Sequence, residues 1–175
     1  TVYGAATDLP VTENTLKQKA ESPYGTTKIL GEDLINDFAK HKDFKSILLR
    51  YFNPVGAHPS AKIGELPLGV PNNLIPYITQ TAAGIRKQLT IFGDDYATED
   101  GTCVRDYIHV VDLAKAHVKA LSYCDEMSQR VDVFNVGTGK GNTVLEVINT
   151  FEQVNGVKLN YKVGPRRGGD IEQIY

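Results

Sequence analysis

Tryptophan is absent from this chain and cysteine is scarce, with two residues among 175. Cys103 and Cys124 are too few for a disulfide framework and their spacing does not suit a metal-ligand pair, so we predict a reducing, cytoplasmic environment and no metal site. No apolar run approaches the roughly 18 residues of a membrane span. The formal net charge of -2 gives no reason to expect nucleic acid or a membrane as a partner.

Glycine-rich phosphate-binding turns are also missing. No G-x-G-x-x-G or G-x-x-G-x-x-G motif follows a strand pattern, so the pyrophosphate-cradling turn of a dinucleotide-binding fold is not in this chain. The glycine-rich residues 137–141 lack the G-x-x-x-x-G-K-[ST] spacing of a P-loop. We predict that they form an ordinary connection from a strand to a helix.

The sharpest chemical pattern present is a tyrosine and a lysine four residues apart, Tyr24 and Lys28. Ser22 is a favourable N-cap and Pro23 suits the first helical position, so we predict a helix over Pro23–His41. The helical period places Tyr24 and Lys28 on the apolar side of this helix. That side also carries Leu30, Gly31, Leu34, Ile35 and Phe38, and the opposite side carries Glu32, Asp33, Asn36, Asp37 and Lys40.

A lysine beside a tyrosine can support proton transfer. A cation within hydrogen-bonding range favours the phenolate form of a phenol, whose ordinary pKa is about 10, and brings it closer to the pH at which a general base acts. The alternative, on this pattern alone, is a tyrosine at the edge of the core beside a lysine whose stem covers apolar surface.

Hydrophobic periodicity predicts alternating helices and strands along the rest of the chain, the pattern of an α/β protein. The helix at Pro23–His41 leads into the apolar run Ser46–Tyr51, which is typical of a buried parallel strand. Residues 56–73 are rich in glycine and proline and predict an irregular loop. We expect further helices at 74–86, from about 113 to 124 and at 143–155, and further strands at 89–93, 131–136 and 159–163.

Several stretches resemble UDP-glucose 4-epimerases, which belong to the extended short-chain dehydrogenase/reductase family. These stretches occur in the order and approximate spacing that those epimerases have. They are T-V-Y-G at 1–4, S-P-Y-G-T-T-K at 22–28, L-R-Y-F-N-P-V-G-A-H at 49–58, P-N-N-L at 71–74 and R-D-Y-I-H-V at 105–110. The likeness runs to about Asp170. Leu66 departs from it, because similar epimerases usually have an aspartate there, so we expect different local interactions in that loop.

The resemblance implies the C-terminal part of a Rossmann-like doubly wound parallel sheet plus a smaller mixed α/β substrate-binding domain. Residues 1–54 would be the remainder of the NAD-binding domain and residues 55–175 mainly the substrate domain, where part of 107–136 could pack back on the Rossmann sheet. The chain begins at Thr1, and its first residues resemble the middle of an epimerase. We therefore predict a preceding half in the parent enzyme, carrying the glycine-rich turn and the catalytic hydroxyl residue.

The resemblance also implies an NAD-dependent interconversion of UDP-glucose and UDP-galactose through a 4-keto intermediate, in a homodimer. Tyr24 would be the base, Lys28 would tune it and contact the nicotinamide ribose, and Phe52 would touch the cofactor. Arg105 and Arg167 would converge on the diphosphate. The substrate-binding residues so implied are Asn53, Asn73, Leu74, Thr90, Phe92, Arg105, Tyr107, Arg167 and Asp170, with Asp170 at the ribose.

The residues alone leave simpler alternatives open. Asn53 could be a turn former before proline and Asn73 a helix cap. Arg105 could form an ion pair with Asp106 or another carboxylate, and residues 166–170 could be a solvated tail. His109 has no metal-ligand companion, so a hydrogen-bonded structural histidine is favoured.

Two other functions remain to be weighed. One is an NDP-sugar 4,6-dehydratase or decarboxylase of the same broad family, which shares oxidation at C4. The other is a non-catalytic nucleotide-sugar sensor that keeps the fold. The full-length sequence would separate these, and we expect the 175-residue chain alone not to epimerise at a meaningful rate.

Overall fold

Helices and strands alternate along the chain in the computed structural model, which describes residues 1–175. In chain order the elements are α1 (Pro23–His41), β1 (Ser46–Tyr51), β2 (Asn53–Val55), α2 (Leu74–Ala82), β3 (Leu89–Phe92), β4 (Val104–Arg105), β5 (Tyr107–His109), α3 (Val110–Glu126), β6 (Val131–Val136), β7 (Asn142–Thr143), α4 (Val144–Asn155), β8 (Tyr161–Gly164) and β9 (Gln173–Ile174). No helix combines the length and the hydrophobicity that a membrane-spanning segment needs.

The first helix begins where the sequence predicts. The Ser22 hydroxyl accepts a hydrogen bond from the Gly25 N–H at 3.2 Å, and Pro23 opens the first turn, where no intrahelical donor is needed. The helix ends at His41, and Lys42 returns to an extended backbone. Both predicted bounds of α1 are confirmed.

The buried face of α1 differs from the predicted one. Glu32, expected on the solvent side, is buried, whereas Leu34 is 71% exposed and Phe38 56% exposed. The helix packs on β1, and its other buried residues are the small Gly25 and Ala39. A helical period shows which residues share a face, but the neighbouring elements decide which face is covered.

A parallel pair of strands lies beside this helix. β1 pairs with β6 from Ser46↔Val131 to Tyr51↔Val136, and both α1 and α3 pack on β1. The carboxyl ends of the two strands therefore lie at the same edge. Two elements within residues 107–136, α3 and β6, therefore contact β1. The predicted division into domains at residue 54 stays a prediction.

The second part of the chain, which is formed by α2, β3, α4 and β8, has its own core. β3 and β8 pair in parallel beneath α2 and α4, and five buried side chains meet there. These are Ile78, Leu89, Ile91, Ile148 and Leu159. A mixed sheet follows the order β7-β4-β9, with β4 antiparallel to β7 and parallel to β9. The short β2 pairs in parallel with β5.

Some element bounds differ from the prediction. α2 ends at Ala82 and not at residue 86, because Gly84 takes a left-handed backbone with φ +73° that leaves the helix. β8 begins at Tyr161 and not at residue 159, since the Leu159 N–H donates to the Glu152 carboxylate at 2.7 Å. α4 begins at Val144, with Thr143 as its N-cap in a capping box with Glu146.

A buried polar network ties α1 to β1. Arg50 donates two hydrogen bonds to Glu32, from Nε to Oε1 at 2.8 Å and from Nη2 to Oε2 at 2.7 Å, and a third to the Tyr3 hydroxyl at 2.9 Å. Lys17 adds a bond to Glu32 at 3.3 Å. Burial would raise the pKa of Glu32, but the bonds from Arg50 and Lys17 outweigh it, so the pKa of Glu32 lies below its ordinary 4.5.

This network gives a testable dependence of stability on pH. The Glu32→Gln variant leaves the Arg50 charge buried without its partner, so we expect a loss of about 3 kcal/mol in the free energy of unfolding at pH 7. A lowered pKa stabilises the fold above the ordinary pKa, and that stability is lost as pH falls through the folded value. The gap between wild type and variant should therefore narrow progressively below pH 4.5.

Urea unfolding between pH 3 and pH 7 measures this gap. The matched control is Asp37→Asn, because Asp37 pairs with Lys40 on the exposed side of the same helix at 2.8 Å. That exposed pair should change the unfolding free energy very little. A gap that stays constant down to pH 3 would contradict the assigned role of Glu32.

Candidate functional site

A cleft of about 550 Å³ lies between α1 and the carboxyl end of β1. Ligands of open α/β sheets bind at this edge of the strands. The cleft is lined by six of the predicted site residues, namely Tyr24, Lys28, Phe52, Asn53, Arg105 and Asp170. The structure thus brings the predicted base and one predicted phosphate ligand to a single cavity.

The tyrosine and lysine of α1 form a close pair. The Lys28 Nζ atom lies 5.1 Å from the centroid of the Tyr24 ring, a distance typical of a cation–π contact. Tyr24 is 62% exposed and Lys28 is also exposed, so the apolar side of α1, where both were predicted to lie, is not buried at these positions. Both polar groups instead border the cleft, where a ligand can reach them.

Phe52 and Asn53 follow β1 at the cleft. Phe52 packs against the buried cluster of Val2 and Tyr3. Asn53 donates from its backbone N–H and from its side-chain Nδ2 to the carbonyl oxygen of Asp106, at 3.1 Å and 3.0 Å. Asn53 opens the short strand β2 and is not simply a turn former before proline.

Arg105 and Arg167 meet at one carboxylate. The Arg167 guanidinium donates to both oxygens of Asp170, at 3.2 Å and 2.8 Å, and Arg105 Nη2 lies 4.0 Å from Asp170 Oδ1. The bonds to Asp170 raise the pKa of Arg167. We call these three residues the arginine cluster. Segments about sixty residues apart in sequence therefore converge in space, as predicted.

Arg105 forms no ion pair with Asp106, and the alternative of another carboxylate is met by Asp170. Asp106 is completely buried, and its carboxylate accepts from the Thr138 N–H and hydroxyl, each at 2.7 Å, and from the Gly139 N–H at 2.9 Å. Two N–H groups of the 137–141 loop thus point inward to an aspartate, as suits a connecting loop. This role of Asp106 was not predicted, because no local pattern gives a signal for it.

Two aromatic residues lie near these groups. The Phe92 ring centroid is 5.4 Å from the Arg167 guanidinium carbon, so the ring supports that side chain.

Tyr107, in β5, pairs with Asn53 of β2. Burial raises the pKa of Tyr107 to about 12, although the nearby Arg105 opposes the rise. The Tyr107 phenol is therefore a hydrogen-bond donor at neutral pH. Thr90, in β3, is half-buried.

Asn73 and Leu74 do not line the cleft. Asn73 stands at the N-cap of α2, but its side chain makes no capping hydrogen bond, and its Nδ2 instead donates to Glu65 at 3.4 Å. Leu74 packs against the core cluster of the second part. Asn73 occupies the predicted cap position, but its side chain does not cap the helix. Any substrate contact at Asn73 or Leu74 stays a prediction.

His109 has a structural role, as expected. Its Nδ1 accepts a hydrogen bond from the Val111 N–H at 3.2 Å and caps α3. A Cβ atom at Gly56 would lie 2.7 Å from the His109 ring, and Gly56 has φ +87°. Glycine is required there for both reasons.

Parallel strands joined through helices, with a ligand-sized cleft at the strand ends, define an α/β protein of the Rossmann type. The comparisons with known proteins agree and narrow the class. This chain belongs to the NAD dependent epimerase/dehydratase family, whose model matches residues 1–137. It is 52% identical over 176 residues to the UDP-glucose 4-epimerase of Erwinia amylovora, covering 100% of this chain and 52% of that protein.

Solved structures show the same likeness. The UDP-glucose 4-epimerase from Bifidobacterium longum, in complex with NAD+ and UDP, is 48% identical with a TM-score of 0.92. The enzyme from Stenotrophomonas maltophila, with bound NAD and formylated UDP-arabinopyranose, is 50% identical with a TM-score of 0.93. Each match covers 99% of this chain and 52% of that chain. The predicted resemblance and fold class are confirmed, and the chain spans about half the length of these relatives.

Proposed function

We propose that this chain is the substrate-holding and proton-transferring portion of an NAD-dependent UDP-glucose 4-epimerase. The observation that carries the proposal is the single cleft in which the Tyr24–Lys28 pair meets Arg105 and Asp170 of the arginine cluster. A base and a phosphate ligand on one cavity suit a nucleotide sugar whose two ends need different chemistry. The whole enzyme interconverts UDP-glucose and UDP-galactose and so takes part in galactose metabolism.

The cleft has groups that suit the nicotinamide end of NAD. The Lys28 ammonium and the Tyr24 hydroxyl are exposed polar groups on one side, and Phe52 gives an apolar surface at the strand end. These three residues would hold the nicotinamide and its ribose. When bound, NAD+ supplies a reversible hydride acceptor for the sugar C4.

The chain's own residues then divide the remaining work. Tyr24 takes the proton from the sugar 4-hydroxyl and later returns it, and the Lys28 cation lies beside the Tyr24 ring. Arg105 and Arg167 hold the diphosphate through planar forks of N–H donors. Asp170 keeps the two guanidinium groups together before the substrate arrives. Because this grip is remote from C4, the sugar can present either face to the hydride.

The other substrate contacts follow from the same placement. Asn53 and Tyr107 face each other across the β2–β5 pair, next to Arg105. Phe92 lies under Arg167, and Thr90 lies two residues earlier on β3. We propose that these residues border the nucleotide, and that Asn73 and Leu74 of α2 contact it from the second part of the chain. Asp170 would reach the ribose.

Relatives at about 50% identity support an epimerase in preference to the other functions considered. The curated relatives at 51–52% identity are UDP-glucose 4-epimerases from plants, bacteria and fission yeast. A 4,6-dehydratase or decarboxylase would share the Tyr24–Lys28 chemistry, and a sensor would share the arginine cluster. No feature of the cleft favours either of them.

The assembly and location are further parts of the proposal. Leu30, Leu34 and Phe38 leave an apolar strip of α1 exposed, which suits a homodimer contact in the intact enzyme. Light scattering should give twice the mass of one polypeptide, and a monomeric mass would contradict this.

Two free cysteines, Cys103 and Cys124, fit a cytoplasmic enzyme, which cell fractionation tests.

The proposed activity is tested on the intact polypeptide that contains this chain together with a glycine-rich NAD-binding half. Incubation with UDP-galactose and NAD+ should yield UDP-glucose, with no dehydrated or decarboxylated sugar. The 175-residue chain alone is the comparison, and we expect no UDP-glucose above the blank because it has no pyrophosphate-binding turn. Absence of UDP-glucose from the intact enzyme, or a dehydrated product, would refute the proposal.

A further inference from the structure

Asp106 is a buried carboxylate that the proposed chemistry does not use. Its side chain is completely buried, and its two oxygens accept three hydrogen bonds from residues 138 and 139. Two of the donors are backbone N–H groups, so the carboxylate holds the chain itself in place. These residues follow β6 directly, at the edge where the cleft lies. A buried anion is stabilised only while such donors surround it.

The backbone of Asp106 holds a second segment. Its carbonyl oxygen accepts both hydrogen bonds of Asn53, from the backbone N–H and from the side-chain amide. Asn53 follows β1, which pairs with β6. One residue therefore binds the segments that follow both strands of the β1–β6 pair.

There is little room for these groups to shift. A Cβ atom at Gly137 would overlap Asp106 Oδ2 and would lie 2.7 Å from Phe52 Cδ2. Neither contact could be kept by a side chain, so the backbone of residue 137 approaches Asp106 and Phe52 closely. The neighbours of Asp106 along the chain are Arg105 and Tyr107, two proposed substrate residues.

We propose that Asp106 is a positioning residue for nucleotide binding. Its hydrogen bonds tie the β4–β5 segment to the residues that follow β1 and β6. They thereby fix the positions of Arg105, Tyr107 and Asn53 relative to Phe52, at the cofactor end of the cleft. Asp106 itself is buried and touches neither substrate nor cofactor. This inference rests on the proposed function, because it assumes that Arg105 and Asn53 contact a UDP-sugar.

The test is Asp106→Asn in the intact enzyme, with UDP as the probe in titration calorimetry. The amide keeps the size of the carboxylate but replaces one acceptor oxygen by a donor that faces other donors. We expect the Kd for UDP and the KM for UDP-galactose to rise roughly tenfold, and kcat to change less than about threefold. The pH dependence of kcat should not move, since Tyr24 and Lys28 lie on α1.

Asp100→Asn is the matched control. The Asp100 carboxylate also accepts three hydrogen bonds, from the Thr102 N–H and hydroxyl and from the Thr143 hydroxyl. Neither Thr102 nor Thr143 lines the cleft, whereas Asn53, which Asp106 binds, does. A purely structural role would make the two variants alike, with a lower Tm and an unchanged Kd for UDP. An unchanged Kd in folded Asp106→Asn would therefore overturn the inference.

A milder variant covers the case in which Asp106→Asn does not fold. Thr138→Val removes the hydroxyl bond to Asp106 and keeps the two backbone bonds, so the Kd for UDP should rise about two- to threefold. A Kd equal to that of the wild type would then overturn the inference. If the wild-type enzyme fails to bind UDP at all, the proposed function itself is wrong, which separates the two failures.

Discussion

Tyr24→Phe in the intact enzyme should lower kcat by about 10²–10⁴-fold, the usual contribution of a positioned acid or base. The substitution removes one hydroxyl and keeps the ring that lies 5.1 Å from the Lys28 Nζ atom. Because Tyr24 is exposed on the first turn of α1, the fold should lose little stability. The affinity for UDP should remain close to that of the wild type, since the arginine cluster is unchanged.

The readouts for this variant are kcat for UDP-galactose and the Kd for UDP, measured on the same preparation. Tyr161→Phe serves as the control, because Tyr161 is a partly exposed tyrosine on β8 that does not line the cleft. It should leave both values unchanged. Undiminished turnover of Tyr24→Phe would show that Tyr24 is not the base, whatever the fold of the enzyme.

Arg105→Lys and Arg167→Lys should each raise the KM for UDP-galactose, with kcat nearly unchanged. Lysine keeps the positive charge but loses the planar fork that can bind two phosphate oxygens. A charge-assisted hydrogen bond contributes about 1.5–3 kcal/mol, so the expected rise is roughly ten- to a hundredfold. We expect the larger effect at Arg105, whose side chain is 18% exposed against 52% for Arg167.

The split between KM and kcat is the informative result. The diphosphate is held alike in the ground state and the transition state, so losing one contact weakens binding without slowing the chemical step. Arg130→Lys is the control, because Arg130 donates to the carbonyls of Ala39 and Lys42 at the far end of α1. A KM unchanged in Arg105→Lys or Arg167→Lys would mean that the arginine forms only a structural ion pair with Asp170.

Local rules accounted for most of the regular elements. The bounds of α1 follow from the Ser22 cap and Pro23, and α4 begins at the capping box of Thr143 and Glu146. The apolar run Ser46–Tyr51 is a parallel strand, as its composition indicates. The short strands β2, β4, β5, β7 and β9 were missed because two or three residues carry no periodicity, and each exists only through its partner.

The candidate site could be predicted only in part. Tyr24 and Lys28 are one helical turn apart, so their contact follows from the helix itself. The meeting of Arg105 with Arg167 was predicted from resemblance alone, and the structure adds that Asp170 lies between them. The exposure of Tyr24 on the apolar side of α1 could not be predicted, because a helical period cannot show whether a neighbouring element covers the face.

Local patterns were enough to predict where α1 and α4 begin, which apolar runs become strands and that a phenol and an ammonium lie side by side. These features depend on interactions among residues a few positions apart, so local sterics and capping groups decide them. The burial of Glu32 against Arg50 and the hydrogen bonds from the loop after β6 to Asp106 depend instead on the fold as a whole. Those partners lie 18 and 32 residues away, and the path of the whole chain brings them together.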